Sequence, residues 1–183
     1  IEAKHYDMIF DLQKCSVNKS VDLPHQIQAK RTYTGVKFFK KTSKKKIEKQ
    51  HEFVVGELDF EGYGKIITKL VSADEVIYGE GALFADYSKI SNSAVWRIRN
   101  LGDTFAKLGT GSKKLNDYFT DKKIDFERRD NLPILAVENL VLIVAENDVS
   151  ENVKIDGQTD QIVKIEFLPN TNRWQFIKKL LIL

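Results

Sequence analysis

From Ile27 onward the chain is cut into short runs, most with an apolar–polar alternation of period two, and separated by glycine-bearing turns. That pattern predicts many short strands in antiparallel hairpins, with few helices. "IQAKRTY", then Gly35, then "VKFFKK" reads as one hairpin. "HEFVVGELDF", "GYG" and "KIITKLV" read as a second pair, and "EVIYGEGALFADY" as a strand kinked at Gly79 or Gly81. "AVWRIRN" and "QIVKIEFL" alternate as strands, whereas "PILAVE" and "LVLIVAE" look like buried strands around a tight turn at Asn139. "NRWQFIKKLLIL" fits a strand or a helix equally.

Helical spacing is rarer. Ala3, Tyr6, Ile9, Phe10 and Gln13 fall near it over Glu2–Gln13, as the last helix of something preceding would. Pro24 ends the connector that follows. Later, Gly109 and Gly111 break the chain, and Ser112 is placed to cap a helix from Lys113 to about Thr120 with Leu115, Tyr118 and Phe119 as its apolar stripe. A second short helix is expected over Phe126–Asn131. The fold class expected is α+β, a mostly antiparallel sheet with two helices inserted together. The organisation expected is the end of a helical domain plus connector over 1–20, then one domain over 21–183, β-rich to residue 92.

Composition narrows the function classes. The chain of 183 residues is 42% hydrophobic and 10% aromatic, enough for a sizeable core. No apolar run is long enough to span a bilayer, and the start has no signal-peptide pattern. The absent initiator Met suggests a piece of a longer chain, and a lone Cys15 fits a reducing cytosol. His5, His25 and His51 are scattered without metal-ligand spacing, Cys15 has no base nearby in sequence, and Asp59 with Glu61 lacks the context of an acid/base pair.

The net charge of +3 hides an uneven distribution. Lys37–Lys49 holds seven lysines against one glutamate, and in Glu138–Asp160 the single basic residue is Lys154. Uneven basic charge points to an anionic partner such as nucleic acid. The run "KFFKKTSKKKIEKQ" would track a phosphate backbone or form a solvated hairpin end. "GTGSKKLNDYFTDKKIDFERRDNLP" invites a nucleotide-loop reading, but spacing removes it. A P-loop needs Gly-Lys-Ser/Thr, and a dinucleotide fingerprint needs a third glycine where Lys114 stands. What remains is a helix N-terminus beside two lysines, which is either an anion site or a capped helix with solvated lysines.

Residues 99–135 also resemble a known family. Arg99, Gly102, Asp103, Phe105, Gly109, Lys113, Lys114, Leu115, Asp117, Phe119, Asp121, Lys123, Ile124, Arg129, Asp130 and Pro133 match, in order and spacing, the C-terminal domain of tRNA(Ile)-lysidine synthase. "VDLPHQIQAKRTY" is similar to the family's Leu-Pro and basic strand. Asn100, Leu101 and Thr104 stand where that family usually has Arg, Pro and Arg, and Asp125 and Phe126 replace Pro and Arg. The resemblance implies a fold similar to a domain of the phenylalanyl-tRNA synthetase β subunit. It implies a cytoplasmic parent ligase that uses ATP with Mg to join lysine to the wobble cytidine of an isoleucine tRNA with a CAU anticodon. That chemistry belongs to an N-terminal domain with a Ser-Gly-Gly-x-Asp-Ser loop, which is not in this sequence, so no catalytic or cofactor residue is expected here. The implied role is to hold the tRNA toward its acceptor stem. Lys113 and Lys114, with Lys122, Lys123, Arg129 and the pair Arg97 and Arg99 on one face of their strand, are then expected to contact phosphates. Tyr118 and Phe119 are expected in the core. The alternative is a protein-interaction module, docking on the catalytic domain or forming a homodimer.

Overall fold

A computed structural model describes residues 2–40, 50–79 and 81–170. The chain divides into two compact units, Ile1–Lys46 with Thr120–Arg129, and Ile47–Phe119 with Asp130–Leu183. This differs from the division at residues 20 and 21 read from sequence. The reason is a segment remote in sequence, 120–129, that belongs with the first unit.

In the first unit, helix α1 (Ala3–Lys14) opens with the Glu2 amide donating to His5 Nδ1 at 2.9 Å. Strands β1 (Ser20–Leu23), β2 (Ile27–Thr32) and β3 (Gly35–Lys40) form an antiparallel sheet in that order, with Thr32 paired to Gly35 at the predicted hairpin turn. Side chains alternate between faces along a strand. Leu23 and Ala29 therefore share one face with Val21, Ile27 and Val36, and Leu12 and Ile9 of α1 pack on it.

The second unit is built of two sheets. One contains β4 (His51–Glu52), β8 (Val95–Arg97), β9 (Thr104–Lys107), β10 (Gly111–Lys114), β11 (Ile134–Val137), β12 (Leu140–Val144) and β13 (Asp148–Val149), after the shorter sheet's β5 (Gly56–Phe60), β6 (Gly64–Val71) and β7 (Ala82–Asp86) have branched off. Its order is β10-β9-β12-β11-β8-β4, with β13 on β12. Its pairings are antiparallel except β9 with β12, so the expected antiparallel character holds with one parallel junction. The other sheet has the order β5-β6-β14-β7, where β14 is Ile162–Pro169. Trp96 of β8 meets Phe167 of β14 edge-on, with ring centroids 6.1 Å apart.

Helix α2 (Leu115–Asp121) buries Leu115, Tyr118 and Phe119, the stripe expected of it. Tyr118 lies 4.6 Å from the Phe105 ring and donates to Asp148 Oδ2 at 2.8 Å. Burial and the adjacent carboxylate push the Tyr118 hydroxyl far above its ordinary range. Each such aromatic contributes about 1.5–3 kcal/mol by burial. Helix α3 (Phe126–Arg129) closes the segment of the first unit that was read as a helix over Phe126–Asn131. The C-terminal "NRWQFIKKLLIL" stretch and most of the basic run after Lys40 lie outside the described residues.

One buried carboxylate makes the second unit acid-sensitive. Asp86 accepts from the Thr159 hydroxyl at 2.7 Å and the Ser88 amide at 3.0 Å, and lies 3.2 Å from Lys89. Burial pushes its carboxyl up, but the Thr159 hydroxyl, Lys89 and the Ser88 amide together hold it below the ordinary 3.8. A lowered folded pKa contributes stability that is present above the unfolded value and lost as pH falls through the folded one. Wild-type denaturant midpoints should therefore fall as pH drops below 3.8, and Asp86→Asn should start lower at pH 7 and fall less in that window. Parallel pH profiles for the two proteins would contradict this.

Candidate nucleic-acid interface

The connection from β8 to β9 is tied by an internal ion pair. Arg97 is 4% exposed and Asp103 3%. Arg97 Nη1 and Nη2 donate to the two oxygens of Asp103 at 2.9 and 2.8 Å, and further to the carbonyls of Ile98 and Glu138. Asp103 also accepts the Asn100 amide at 2.7 Å, and its carbonyl accepts the Leu115 amide that opens α2. The guanidinium is consumed inside the domain, so the phosphate contact read for Arg97 from sequence is corrected to a structural role. Arg99 lies beyond the end of β8 and is partly exposed. Its Nη2 and Nε donate to Asp130 Oδ1 at 2.7 and 3.2 Å, and its Nη1 donates to Asn116. Asp130 thus pairs with Arg99.

Lys113 and Lys114 stand on a strand, and the helix begins only at Leu115. The expected cap at Ser112 is therefore replaced by a ladder: Ser112 pairs with Ala106, Lys113 with Phe105 and Lys114 with Thr104. Consecutive strand residues point to opposite faces. Lys113 shares a face with buried Phe105 and with Lys107, which pairs with Gly111, while Lys114 is exposed on the other face. Lys107 was not nominated from sequence, although its period-two spacing from Phe105 was a usable signal. β10 is the outer strand of its sheet, so Lys113 and Lys114 sit at its edge, with Lys107 on the next strand.

Lys122, Lys123 and Arg129 belong to the first unit. Lys122 and Lys123 are exposed, and Lys123 holds a left-handed φ of 55° in the turn after α2. Arg129 is buried, with Nε donating to the Ile124 carbonyl at 2.8 Å and Nη1 3.4 Å from the Thr120 hydroxyl. It pins its own turn, which corrects the phosphate contact read for it. Asp125 is tied to Lys37 and to the Tyr33 amide.

Four carboxylates of the acidic stretch Glu138–Asp160 are partnered within the chain, although none of them is buried. Glu146 accepts from the Tyr63 hydroxyl, Asp148 from Tyr118, Glu151 from Lys154 and the Gly109 amide, and Asp156 from Lys89. The partners explain the charges. The Lys154 ammonium holds the Glu151 carboxyl below its ordinary range, and Lys89 does the same for Asp156. Among the described residues no group of three His, Cys, Asp or Glu side chains is placed to hold a metal, and no helix is long and apolar enough to cross a membrane.

A model of the TilS substrate C-terminal domain matches residues 94–166. The chain is 32% identical over 172 residues to a tRNA(Ile)-lysidine synthase of Caldanaerobacter subterraneus subsp. tengcongensis, covering 91% of this chain and 37% of that protein. It is 31% identical over 173 residues to the synthase of Clostridium tetani, covering 90% and 37%. The chain thus spans about 37% of the length of these relatives. A crystal structure of a TILS C-terminal domain aligns with a TM-score of 0.56 at 24% identity, over 67% of this chain and 97% of that one, a likeness of fold.

Proposed function

We propose that this chain, whose residues 94–166 match the TilS substrate C-terminal domain and which is similar to tRNA(Ile)-lysidine synthases, holds tRNA by its phosphate backbone. The observation that carries the reading is the arrangement of charge in the second unit. Lys107, Lys113 and Lys114 line the outer hairpin of a rigid sheet, while Glu146, Asp148, Glu151 and Asp156 are occupied by internal donors. Cations on a fixed frame orient RNA without reading its sequence, and duplex RNA is recognised through shape, phosphates and 2′-hydroxyls. The RNA in this reading is an isoleucine tRNA with a CAU anticodon, held on its acceptor-stem side. In this reading Lys122 and Lys123 of the first unit are also phosphate ligands, and so is Arg99 of the second, braced by Asp130 and Asn116.

In this reading ATP and its Mg are not held by residues of this chain. The sequence has no Ser-Gly-Gly-x-Asp-Ser loop. In this reading ATP activation of the wobble cytidine and its ligation to lysine occur in a separate catalytic domain of a cytoplasmic enzyme.

The test is a titration of this chain with isoleucine tRNA and with an unrelated tRNA at two salt concentrations. Affinity should fall by about 0.7 to 0.9 log units per phosphate contact for each tenfold rise in salt. Lys113→Ala/Lys114→Ala should lower low-salt affinity about tenfold and reduce that slope by about 1.5. An unchanged affinity and slope in the variant would remove these lysines from the interface. Absence of binding to either tRNA at low salt would sink the reading for the chain. A second reading, docking on the catalytic domain or self-association, is favoured by α1, where Tyr6 and Phe10 are 64% and 62% exposed one helical turn apart. An apolar interface of that kind would respond little to salt.

A further inference from the structure

The sheet of the first unit has one face covered by α1. On its other face, Lys30 of β2 and Lys37 of β3 are direct cross-strand partners. Like charges directly opposite one another destabilise a strand pair. Both are met by carboxylates from a single stretch some ninety residues further along. Lys30 Nζ lies 2.6 Å from Glu127 and 4.7 Å over the Phe126 ring. Lys37 Nζ lies 2.6 Å from Asp125, whose other oxygen accepts the Tyr33 amide at 3.3 Å. The anchoring residues also build the stretch itself, since the Asp125 carbonyl accepts the amides of Arg128 and Arg129. Docking and local folding of 120–129 therefore meet at Asp125.

We propose that Asp125 and Glu127 form an electrostatic latch on the Lys30–Lys37 pair, and that anions in solution govern how often the 120–129 segment leaves the β2–β3 hairpin. Each lysine offers its ammonium to a carboxylate that water partly reaches, and partly exposed ion pairs are weakened by salt. When the segment lifts, the two ammonium groups face each other without counter-charge, so a competing polyanion gains whatever the carboxylates give up. Ile124, the neighbour of Asp125 in sequence, is buried, and salt does not weaken the burial of an apolar side chain. Opening is thus an equilibrium tuned by ions and opposed by a small apolar anchor. The latch follows from ion pairs within the first unit and does not require that the chain bind tRNA.

Hydrogen exchange of the intact chain tests it, with the amides of Arg128 and Arg129 as reporters and those of β11 and β12 as internal reference. Raising NaCl from about 0.05 to about 1 M shortens the Debye length several-fold. Reporter exchange should quicken about tenfold, the combined worth of two partly exposed pairs, with the reference strands unchanged. In Asp125→Asn/Glu127→Gln the reporters should exchange fast already at low salt and lose their salt response. In Lys37→Asp/Asp125→Lys protection should return. Salt-independent exchange in the wild type would overturn the proposal without any substitution. So would an amide variant that keeps the wild-type salt response.

Discussion

Replacing Asp103 by alanine will cost the second unit about 3–5 kcal/mol, the usual cost of removing one partner from a buried ion pair. The cost arises because the Arg97 guanidinium cannot follow its lost partner to water. Arg97 stays under β8, held by the carbonyls of Ile98 and Glu138, and both its charge and the Asn100 amide lose their acceptor. The effect reaches further than the pair. Asp103 fixes the 97–103 connection between β8 and β9, and the backbone of that same residue accepts the first amide of α2. Urea denaturation followed by circular dichroism measures it. Arg97→Met should be comparably costly, because a buried carboxylate is then left alone. The double variant Arg97→Met/Asp103→Leu should cost far less than the sum of the two, since no unpaired charge remains. Additive costs, or a loss under about 1 kcal/mol for Asp103→Ala, would show that water reaches the pair and that the clasp is weak.

The clasp also shows where a sequence stops being informative. Arg97 and Arg99 stand two apart in an alternating run, so period two placed them together on a solvated or phosphate-facing side. The strand ends at Arg97, and a carboxylate six residues later turns that arginine inward. No local pattern carries that partnership. Ser112 misled in the same way. It has the chemistry of a helix cap and lysines after it, but pairing with β9 outweighed the local preference and moved the helix start to Leu115. β9 was itself missed, because Thr104–Lys107 is short and its burial comes from α2 and β12. Hairpins whose strands are adjacent in sequence were legible: β2 with β3 and β5 with β6 fall where short runs and turn residues put them, and β11 with β12 where two apolar runs flank Asn139. Membership of 120–129 in the first unit was not legible, since it rests on Lys30 and Lys37 meeting acids nearly ninety residues away. The family likeness survived these errors. It rests on the order of residues such as Asp103, Phe105, Leu115 and Phe119, and those are the side chains that build the core and the clasp.

Gly64→Ala should be the most damaging single-methyl addition among the described glycines, costing more than about 4 kcal/mol or preventing folding. Gly64 opens β6 with φ +139°, and an added Cβ would lie 2.2 Å from the Leu168 carbonyl oxygen, 2.8 Å from the Asn170 amide and 3.0 Å from the Pro169 carbonyl carbon. All three are backbone atoms, so no side chain can swing aside. The backbone cannot retreat either. β14 pairs with β6 over its whole length from Ile162 to Pro169 and with β7 on its other side, and the Asn170 amide is fixed to the Tyr63 carbonyl at 2.6 Å. Gly56 separates the two sources of cost. It has the same φ of +139°, yet an added Cβ there meets nothing within 4 Å. Gly56→Ala therefore carries backbone strain alone, about 1–3 kcal/mol. The difference between the two variants, measured in the same urea series, isolates the steric contact with β14. Equal losses would mean that β14 moves away freely, and that the pairing of β6 with β14 is looser at this end than its register implies.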